Sequence, residues 1–319
     1  MLNPRTKKIL VITSLVFSLL LCAGVITGAL YYISVQTRMA APAEDVPERM
    51  ISPEEALAPQ EPYTIALLGT DARQPDVRDR TDTIILARVE PATRQVWMVS
   101  IPRDTKVEIP GYGTRKINAA HAYGGPELAI EVIEELTGQH IDHYMTINFF
   151  GFEEVIDALG GVTLDVPNTI EGEKAALADF TSDKSASRIE AGLQHLDGAH
   201  ALTFVRYRGY IDGDFGRTYA QQMFFRAVLD QIDEVSLVRV PGLVDAIASN
   251  VETNLTPIQL AQVAREMRGT KSENLYTITL EGEWHSPFVY LDEEFAQHVW
   301  QQFGVEPFDI PDHNLEAAD

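Results

Sequence analysis

Three apolar segments that follow one another closely constrain the fold of this chain more than any other feature. They cover residues 64–68, 83–89 and 95–101, and each is rich in Ile, Val and Leu over a length suited to one strand. This length and composition are typical of buried strands. We therefore expect the three segments to be strands of one sheet, around which the rest of the chain is organised.

The charged residues of this region lie at the ends of the predicted strands. They are Asp71, Arg80, Asp82 and Arg103. Strand ends and the loops that leave them are where ligands bind in open α/β sheets, because the sheet fixes the loops while their side chains stay accessible. Carboxylates and arginines that converge on one sheet edge indicate a metal-assisted site for an anion.

The segments that follow alternate between helix and strand patterns. A helix is predicted to begin at Pro126 and to end at Gly138, and a long helix to begin near Phe215. Residues 169–190 are polar and without period, and we interpret them as a long surface excursion. Further strands are predicted at residues 144–148, 162–166 and 275–279, and further helices at residues 151–159, 199–207, 241–248, 257–267 and 293–303. The alternation predicts an α/β fold with helices on both faces of a sheet.

A second charged cluster occurs within residues 196–226. Asp197 suits the N-cap of the first helix in this region. The polar residues at helix ends or on one helix face are Arg206, Arg208, Asp214, Arg217 and Gln221. The first turn of the second helix also carries free backbone N–H groups, which makes it a suitable place for a phosphate.

The N-terminal region has the pattern of a membrane anchor. Residues 9–34 contain no charged residue and follow three basic residues within residues 1–8. About 25 apolar or small residues are enough to span a bilayer, and the run is longer than the apolar core of a cleavable signal peptide. We expect a transmembrane signal anchor with a cytoplasmic N-terminus and an extracytoplasmic body; the alternative is a signal peptide cut near residues 41–43. Residues 35–62 are then a flexible extracytoplasmic linker.

Composition excludes several classes of protein. With 45% hydrophobic and 23% charged residues, the chain can bury a sizeable core and is neither fibrous nor disordered throughout. The formal net charge of -22 argues against a nucleic-acid partner, which would require a basic face. The single cysteine, Cys22, lies in the apolar N-terminal run, so there is no disulfide framework and no thiolate metal site.

Seven motifs occur in a fixed order behind the N-terminal apolar run: LLGTDAR, RTDTIIL, SIPRD, KINAAHAYGG, INFFGFEEVIDALGGV, GLQHLDGAHALTFVRYR and DGDFGRTYAQQ. Together they resemble the LytR-CpsA-Psr family of cell-wall assembly proteins, from residue 63 to residue 233 and more weakly beyond. The resemblance implies an α-β-α sandwich with a central mixed sheet. We expect a catalytic domain over residues 63–235 and a C-terminal extension over residues 236–319, packed on the same core and ending in an acidic tail.

The resemblance also implies an activity. Proteins of this family are membrane-anchored extracytoplasmic phosphotransferases that move a glycopolymer phosphate from a polyprenyl-diphosphate carrier to the 6-hydroxyl of N-acetylmuramic acid in peptidoglycan. The expected partners are the polyprenyl-diphosphate-linked glycan, peptidoglycan and the membrane. Teichoic acid, teichuronic acid and capsule share the diphosphate linkage, so the resemblance does not identify the transferred polymer. A pyrophosphatase activity that releases polyprenyl phosphate is a further activity compatible with the resemblance.

Individual positions take their roles from the same resemblance. Asp71 and Asp82 match magnesium-binding aspartates, with manganese as the other candidate metal. The diphosphate-binding positions are Arg80, Arg103, Arg206, Arg208, Arg217 and Gln221. Asp214 matches an aspartate that orients the arginines, and Lys116 is a weaker match. The catalytic set expected from these matches is Arg103, Asp82, Arg206, Arg208 and Asp214.

The chemistry of these residue types suits the roles. The planar guanidinium of Arg makes paired hydrogen bonds to phosphate, and two carboxylates are a common protein share of a magnesium site. If the reaction uses a base to remove the hydroxyl proton, Asp82 and Asp214 are the two candidates. The apolar residues 149–156 suit either a tunnel for the prenyl chain or ordinary core. A non-catalytic binder of the lipid or of wall polymer is the alternative function; a transcriptional attenuator is disfavoured by the anchor and the acidic composition.

Overall fold

The computed structural model describes residues 61–70, 79–171, 184–207, 214–232, 235 and 239–308. Its strands follow the chain in short, well-separated segments. They are β1 (Tyr63–Thr70), β2 (Thr81–Glu90), β3 (Gln95–Ser100), β4 (Lys106–Ile109), β5 (Gly113–Lys116), β6 (His143–Asn148), β7 (Val162–Val166), β8 (Ile170–Glu171), β9 (Arg188–Ile189), β10 (Gly192–Leu196), β11 (Val251–Thr253), β12 (Leu275–Thr279), β13 (Gly282–His285) and β14 (Phe288–Leu291).

The helices lie between these strands. They are α1 (Ala119–Thr137), α2 (Phe149–Leu159), α3 (Gly198–Arg206), α4 (Asp214–Gln231), α5 (Val240–Asn250), α6 (Pro257–Met267) and α7 (Glu293–Gln302). Helix α1 is kinked at Gly125, where φ is 73°, and Pro126 starts its second part as the sequence predicts. Asp197 caps α3, since its side chain accepts a hydrogen bond from the backbone N–H of His200.

A central sheet of six strands organises the described residues, in the order β11-β6-β1-β2-β3-β12. Strand β2 runs antiparallel to both β1 and β3, whereas β6 is parallel to β1 and β12 is parallel to β3. The sheet is therefore mixed, as expected. Strands β11 and β12 show that the C-terminal part of the chain contributes directly to the same sheet.

Helices cover both faces of this sheet. Neighbouring residues of a strand point to opposite faces, and in β2 Leu86 packs with Val132 of α1 and Val299 of α7. The preceding residue, Ile85, packs with Phe225 of α4. Helix α6 covers the α4 face beside β1. The result is a layered helix-sheet-helix arrangement.

A second apolar cluster lies beside the central sheet. It joins α2, α3 and α4 to the small antiparallel sheet of β7 and β10, through buried residues such as Ile156, Leu164, Phe204 and Phe224. Helix α3 packs closely on α2, because the backbone N–H of Gly198 donates to the carboxylate of Asp157 at 2.7 Å. This cluster holds the two helices that carry the second group of predicted site residues.

The predicted elements agree with the structure where apolar patterns are strong. The first three predicted strands are β1, β2 and β3, the later ones are β6, β7 and β12, and each predicted helix has a counterpart. The segment 169–190, interpreted as a long surface excursion, contains the pairing of β8 with β9, which was not predicted. The hairpins β4–β5 and β13–β14 were not predicted.

The predicted membrane anchor at residues 9–34 lies outside the described residues, and so does most of the predicted linker. Among the helices that the structure does describe, none combines the length and the apolar character that crossing a membrane requires. The end of the acidic tail, from residue 309, also lies outside the described part.

Candidate active site

A cavity of about 310 Å³ opens at one edge of the central sheet. Its walls come from the start of β2, the end of β3 with the loop that follows, the end of β12, helix α4 and the β13–β14 hairpin. The polar or charged residues that line it are Asp82, Thr83, Ser100, Arg103, Asp104, Arg217, Gln221 and Thr279. Both predicted charged clusters therefore contribute to one cavity.

Strand direction explains why these residues meet. Because β2 is antiparallel to β3, the start of β2 lies beside the end of β3. Strand β12 is parallel to β3 and pairs Thr279 with Ser100, so its carboxyl end reaches the same edge. The strand β1 also ends there, since Thr70 pairs with Thr81. The sheet edge expected from the sequence is thus formed by four strands.

An ion pair between Asp82 and Arg103 lies at the cavity wall. The guanidinium Nη1 of Arg103 donates to Oδ1 of Asp82, and about a quarter of each side chain stays exposed. Partial exposure leaves both charges accessible to a ligand in the cavity. The pair also fixes the end of β3 relative to the start of β2, because one residue belongs to each segment.

Helix α4 provides the opposite wall. Arg217 is buried and Gln221 lies one turn later on the same helix face, and both line the cavity. The side-chain amide of Gln221 donates to the carbonyl oxygen of Val205 at 3.2 Å and to the hydroxyl of Thr83 at 3.4 Å. Gln221 thereby links α3, α4 and β2 at the cavity.

Not every predicted site residue lines this cavity. Arg206, the last residue of α3, places its guanidinium over the ring of Phe149 at 4.1 Å from the ring centroid. Arg80 is exposed, and its backbone N–H donates to the side chain of Asp79. Asp71 and Arg208 lie outside the described residues, as does the side chain of Asp214, whose backbone begins α4.

The turn at residues 117–118 and the start of α1 brace the two strand ends that carry the ion pair. The backbone N–H of Asn118 donates to the carbonyl of Arg103, and the carbonyl of Asn118 accepts from the N–H of Thr81. His121, which is only 4% exposed, places Nδ1 at 2.8 Å from the carbonyl oxygen of Asp79. Its Nε2 is buried and has no hydrogen-bond partner in the described part of the chain. The motif KINAAHAYGG contained this residue, but sequence reasoning gave it no role.

Sequence reasoning also missed the rim formed by β13 and β14. Gly282, Trp284 and Val289 line the cavity from this hairpin. The Nζ atom of Lys116 lies 5.4 Å from the ring centroid of Trp284 and 2.9 Å from the carboxylate of Asp104. A single exposed tryptophan in a polar segment offered no signal that it would reach the cavity.

Few of the described residues could bind a metal ion in this cavity. No group of three or more His, Cys, Asp or Glu side chains in the described ranges could hold a metal. Magnesium commonly takes only one or two protein carboxylates and completes its shell with water and substrate phosphate. Asp82 is a partly exposed carboxylate in the cavity, so its chemistry and position suit such a share.

The two arginines that line the cavity, Arg103 and Arg217, favour an anionic ligand. Arg103 and Arg217 approach the cavity from different elements, so a ligand with two linked phosphates could contact both. The described apolar part of the lining, which includes Ile84, Ile101 and Val289, limits the access of water. The arrangement is suited to binding a phosphate ester and to stabilising charge on it.

Comparison with known proteins gives relatives along most of the chain. A polyisoprenyl-teichoic acid–peptidoglycan teichoic acid transferase TagU of Halalkalibacterium halodurans is 31% identical over 285 residues, which cover 87% of this chain and 90% of the relative. The protein of the same name from Bacillus cereus is 36% identical over 233 residues, covering 72% of each chain.

Solved structures share the fold. The crystal structure of Bacillus subtilis TagV has a TM-score of 0.65 at 27% identity and covers 76% of this chain and 96% of its own. The structure of TagT bound to LI-WTA has a TM-score of 0.62 at 27% identity and covers 83% of this chain and 98% of its own. A structure described as a transcriptional regulator from Enterococcus faecalis has a TM-score of 0.62 at 25% identity and covers 78% of this chain and 90% of its own. The family model described as the LytR_cpsA_psr family matches residues 29–304, and this chain belongs to that family.

Proposed function

We propose that this protein transfers a glycopolymer phosphate from a polyprenyl-diphosphate carrier to the 6-hydroxyl of N-acetylmuramic acid in peptidoglycan. The observation that carries the proposal is the cavity in which the Asp82–Arg103 pair faces Arg217 and Gln221 of α4. The names of its relatives, which are teichoic acid–peptidoglycan transferases, support a wall polymer as the transferred group.

In this proposal the arginines bind the diphosphate of the donor. Arg103 and Arg217 contact it within the cavity, with Gln221 as a neutral donor. Arg80, Arg206 and Arg208 extend the positive charge around it. Guanidinium groups stay protonated at any working pH and offset the negative charge that develops on the leaving phosphate. The catalytic set remains Arg103, Asp82, Arg206, Arg208 and Asp214.

Asp71 and Asp82 would hold a magnesium or manganese ion. When bound, such an ion supplies Lewis-acid polarisation of the phosphoryl oxygens. Asp71 follows Thr70 in the sequence, and Thr70 pairs with Thr81, the neighbour of Asp82. This sequence position favours a shared role for the two carboxylates at one strand edge.

The protein must also position the donor and the acceptor relative to each other. Phosphoryl transfer by in-line attack of a sugar hydroxyl depends mainly on alignment and electrostatics, so no covalent enzyme intermediate is required. Asp82 and Asp214 are the candidates for accepting the hydroxyl proton.

The prenyl chain is assigned to the side of α2 and α3. Arg206 lies against Phe149, so a phosphate-binding cation and the apolar α2 segment are adjacent there. The cluster formed by α2, α3 and α4 is also well packed, which is the packing expected if residues 149–156 are ordinary core. A single N-terminal anchor at residues 9–34 would hold this body on the extracytoplasmic side of the cell membrane, where lipid carrier and peptidoglycan meet.

A non-catalytic binder of the same lipid is the second candidate, because the arginines alone would suffice for binding. The presence of a cavity carboxylate in addition to the arginines favours catalysis over binding alone. The name of the Enterococcus faecalis structure raises the transcriptional role again. The formal net charge of -22 opposes it, since DNA binding requires a basic surface.

The test uses the full-length chain with a polyprenyl-diphosphate glycan, magnesium and an uncross-linked peptidoglycan oligomer. Mass spectrometry follows the phosphodiester-linked conjugate. Arg103→Ala is expected to lower kcat/KM by about 10²- to 10³-fold, as for loss of a group that stabilises developing charge. EDTA is expected to stop the reaction and added magnesium to restore it.

The matched control is Arg265→Ala. Arg265 is an exposed arginine of α6 outside the cavity lining, so its loss is expected to leave the rate within twofold of the wild type. Equal rates for Arg103→Ala and the wild type would contradict the assignment. Tight lipid binding without conjugate would instead favour the non-catalytic binder.

A further inference from the structure

An exposed indole stands at the rim of the cavity. Trp284 is 56% exposed although it lines the cavity together with Arg103 and Asp82. Large exposed aromatic side chains beside a polar cavity are typical of ligand-binding surfaces, because the ring offers a rigid apolar face at small cost in conformational entropy. The proposed phosphate chemistry does not use this residue.

The hairpin that carries Trp284 is fixed to the loop that carries Arg103. The backbone N–H of Val289 donates to the carbonyl of Asp104 at 2.9 Å, and Thr105 forms a bridge with Val289. At Gly282 the strands approach so closely that a Cβ would lie 2.4 Å from the carbonyl oxygen of Tyr290. The backbone that carries the indole is therefore held in a defined position relative to the cavity edge of the sheet.

The two faces of the hairpin differ in what they contact. Trp284 lies opposite Val289 in the register, and both line the cavity. Tyr290 lies opposite Glu283 and thus on the other face, where its ring meets His285 and the Nζ atom of Lys106. Tyr290 is 42% exposed, which makes it a close match to Trp284 in exposure and position in the chain.

The hairpin and α4 approach the cavity from opposite sides of the sheet. Helix α4, which carries Arg217, packs on the face of Ile85. Leu291 of the hairpin belongs to the cluster on the opposite face, with Leu86. In-line displacement requires the leaving group and the attacking hydroxyl to lie on opposite sides of the phosphorus. If the donor lies toward α3 and α4, the acceptor enters from the hairpin side.

The acceptor in the proposed reaction is a chain of N-acetylated pyranose rings. A pyranose has an apolar C–H face that can pack flat on an indole and hydroxyl edges that stay hydrated. The carboxylates of the stem peptides would meet Lys116 of β5, whose Nζ atom lies 5.4 Å from the ring centroid of Trp284. An aromatic face beside a cation matches this acceptor better than it matches an apolar lipid.

We propose that Trp284 forms an acceptor subsite, on which an N-acetylhexosamine ring of the peptidoglycan glycan stacks next to the phosphoryl-transfer cavity. This inference rests on the proposed transferase function and names where its second substrate binds. Trp284 is a binding residue in this proposal and takes no part in proton transfer.

Calorimetric titration of the full-length chain with an uncross-linked peptidoglycan oligomer tests the subsite without requiring turnover. Trp284→Ala is expected to weaken the Kd by about tenfold, the size expected from losing one aromatic stacking contact. Trp284→Phe, which keeps a ring, is expected to recover most of that affinity. Tyr290→Ala is expected to bind as the wild type does, and thermal melting establishes that each variant is folded.

The same titration with the polyprenyl-diphosphate donor separates the two possible sources of a sugar ring. An unchanged donor Kd in Trp284→Ala, with a higher KM for the acceptor, supports the acceptor subsite. A parallel loss of donor affinity would assign the ring to the donor and overturn the proposal. Equal acceptor affinity of Trp284→Ala and wild type would also overturn it, and transfer by the wild type would then leave the proposed function intact. Absence of any transfer by the wild type would refute the proposed function itself.

Discussion

His121 shows how a side chain outside the cavity can position the groups inside it. A carbonyl oxygen only accepts hydrogen bonds, so the contact with Asp79 assigns the proton to Nδ1 and leaves Nε2 as an acceptor in the neutral ring. This bond and the one between Thr81 and Asn118 hold the segment that leads into Asp82. The imidazole therefore fixes the approach to a proposed catalytic carboxylate.

Substitution of His121 by Ala is expected to lower transfer activity through position rather than through chemistry. Displacement of a reacting group by about 1 Å can cost up to about 100-fold in rate. We expect a loss of that order or smaller in kcat, with little change in the KM for the acceptor. Steady-state kinetics on the full-length chain measures both parameters.

The conservative variant His121→Asn supplies the control for this prediction. The side-chain amide of Asn can donate one hydrogen bond at about the position of Nδ1, so it is expected to restore much of the activity. If His121→Asn were as impaired as His121→Ala, the hydrogen bond to Asp79 would not be the source of the effect, and the free Nε2 would become the group to examine.

At the scale of elements, the close contact of α3 with α2 is set by a glycine. A Cβ at Gly198 would lie 2.2 Å from the carbonyl oxygen of Glu153, closer than any real contact of this type. The backbone N–H of Gly198 also bonds to Asp157 of α2. Because Arg206 ends α3, this contact also determines where that arginine lies.

Gly198→Ala is expected to destabilise the protein by about 1–3 kcal/mol, the cost of forcing extra volume into a packed contact. Urea unfolding followed by circular dichroism measures the change. Gly242→Ala is the matched control, since a Cβ added there meets nothing within 4 Å and the residue lies in α5. The control is expected to be neutral or slightly stabilising; similar losses in both variants would show that the α2–α3 contact is not the cause.

The elements differ in how far their sequence determines them. Strands β1, β2 and β3 are predictable because their apolar residues are continuous and buried on both faces. The sequence GEWH of β13 has no such run; its side chains are largely exposed, and the strand exists because its backbone pairs with β14. Backbone pairing between two short strands whose side chains are largely exposed leaves no periodic signal in the sequence.

The candidate site follows the same rule. Asp82 and Arg103 were identified because charges at strand ends converge whenever the strands are neighbours. Arg206 was expected to join them, but its guanidinium lies over Phe149, since the end of α3 packs beside α2. The direction of a side chain at the last turn of a helix depends on tertiary packing, which the spacing of residues in the sequence does not encode.

For the whole molecule, a half-buried histidine makes stability depend on pH. His143 begins β6 beside Tyr63, at 6.0 Å between ring centroids. Burial lowers its pKa from the usual 6.5, and the neighbouring Asp142 only partly opposes this effect. The unfolded chain then binds the proton more readily than the folded one, so the free energy of unfolding falls as the pH drops below about 6.5.

We therefore expect the urea midpoint of the wild type to decrease between pH 7.5 and pH 5, and to decrease less in His143→Gln. The exposed His298 of α7 provides the comparison, because His298→Gln is expected to follow the wild-type pH dependence. Identical pH profiles for His143→Gln and wild type would exclude His143 as the source of the acid sensitivity.

The parallel pairing of β3 with β12 has a consequence for biosynthesis. Strand β3 is made early, whereas its partner, which places Thr279 next to Ser100, and the hairpin beyond it come from the last part of the chain. A nascent chain that has emerged only as far as α6 has an open β3 edge and lacks one wall of the cavity. Such contacts between distant segments form late in folding. A product truncated after α6 would therefore carry Arg103 and Arg217 but lack the cavity wall that β12 and the β13–β14 hairpin form.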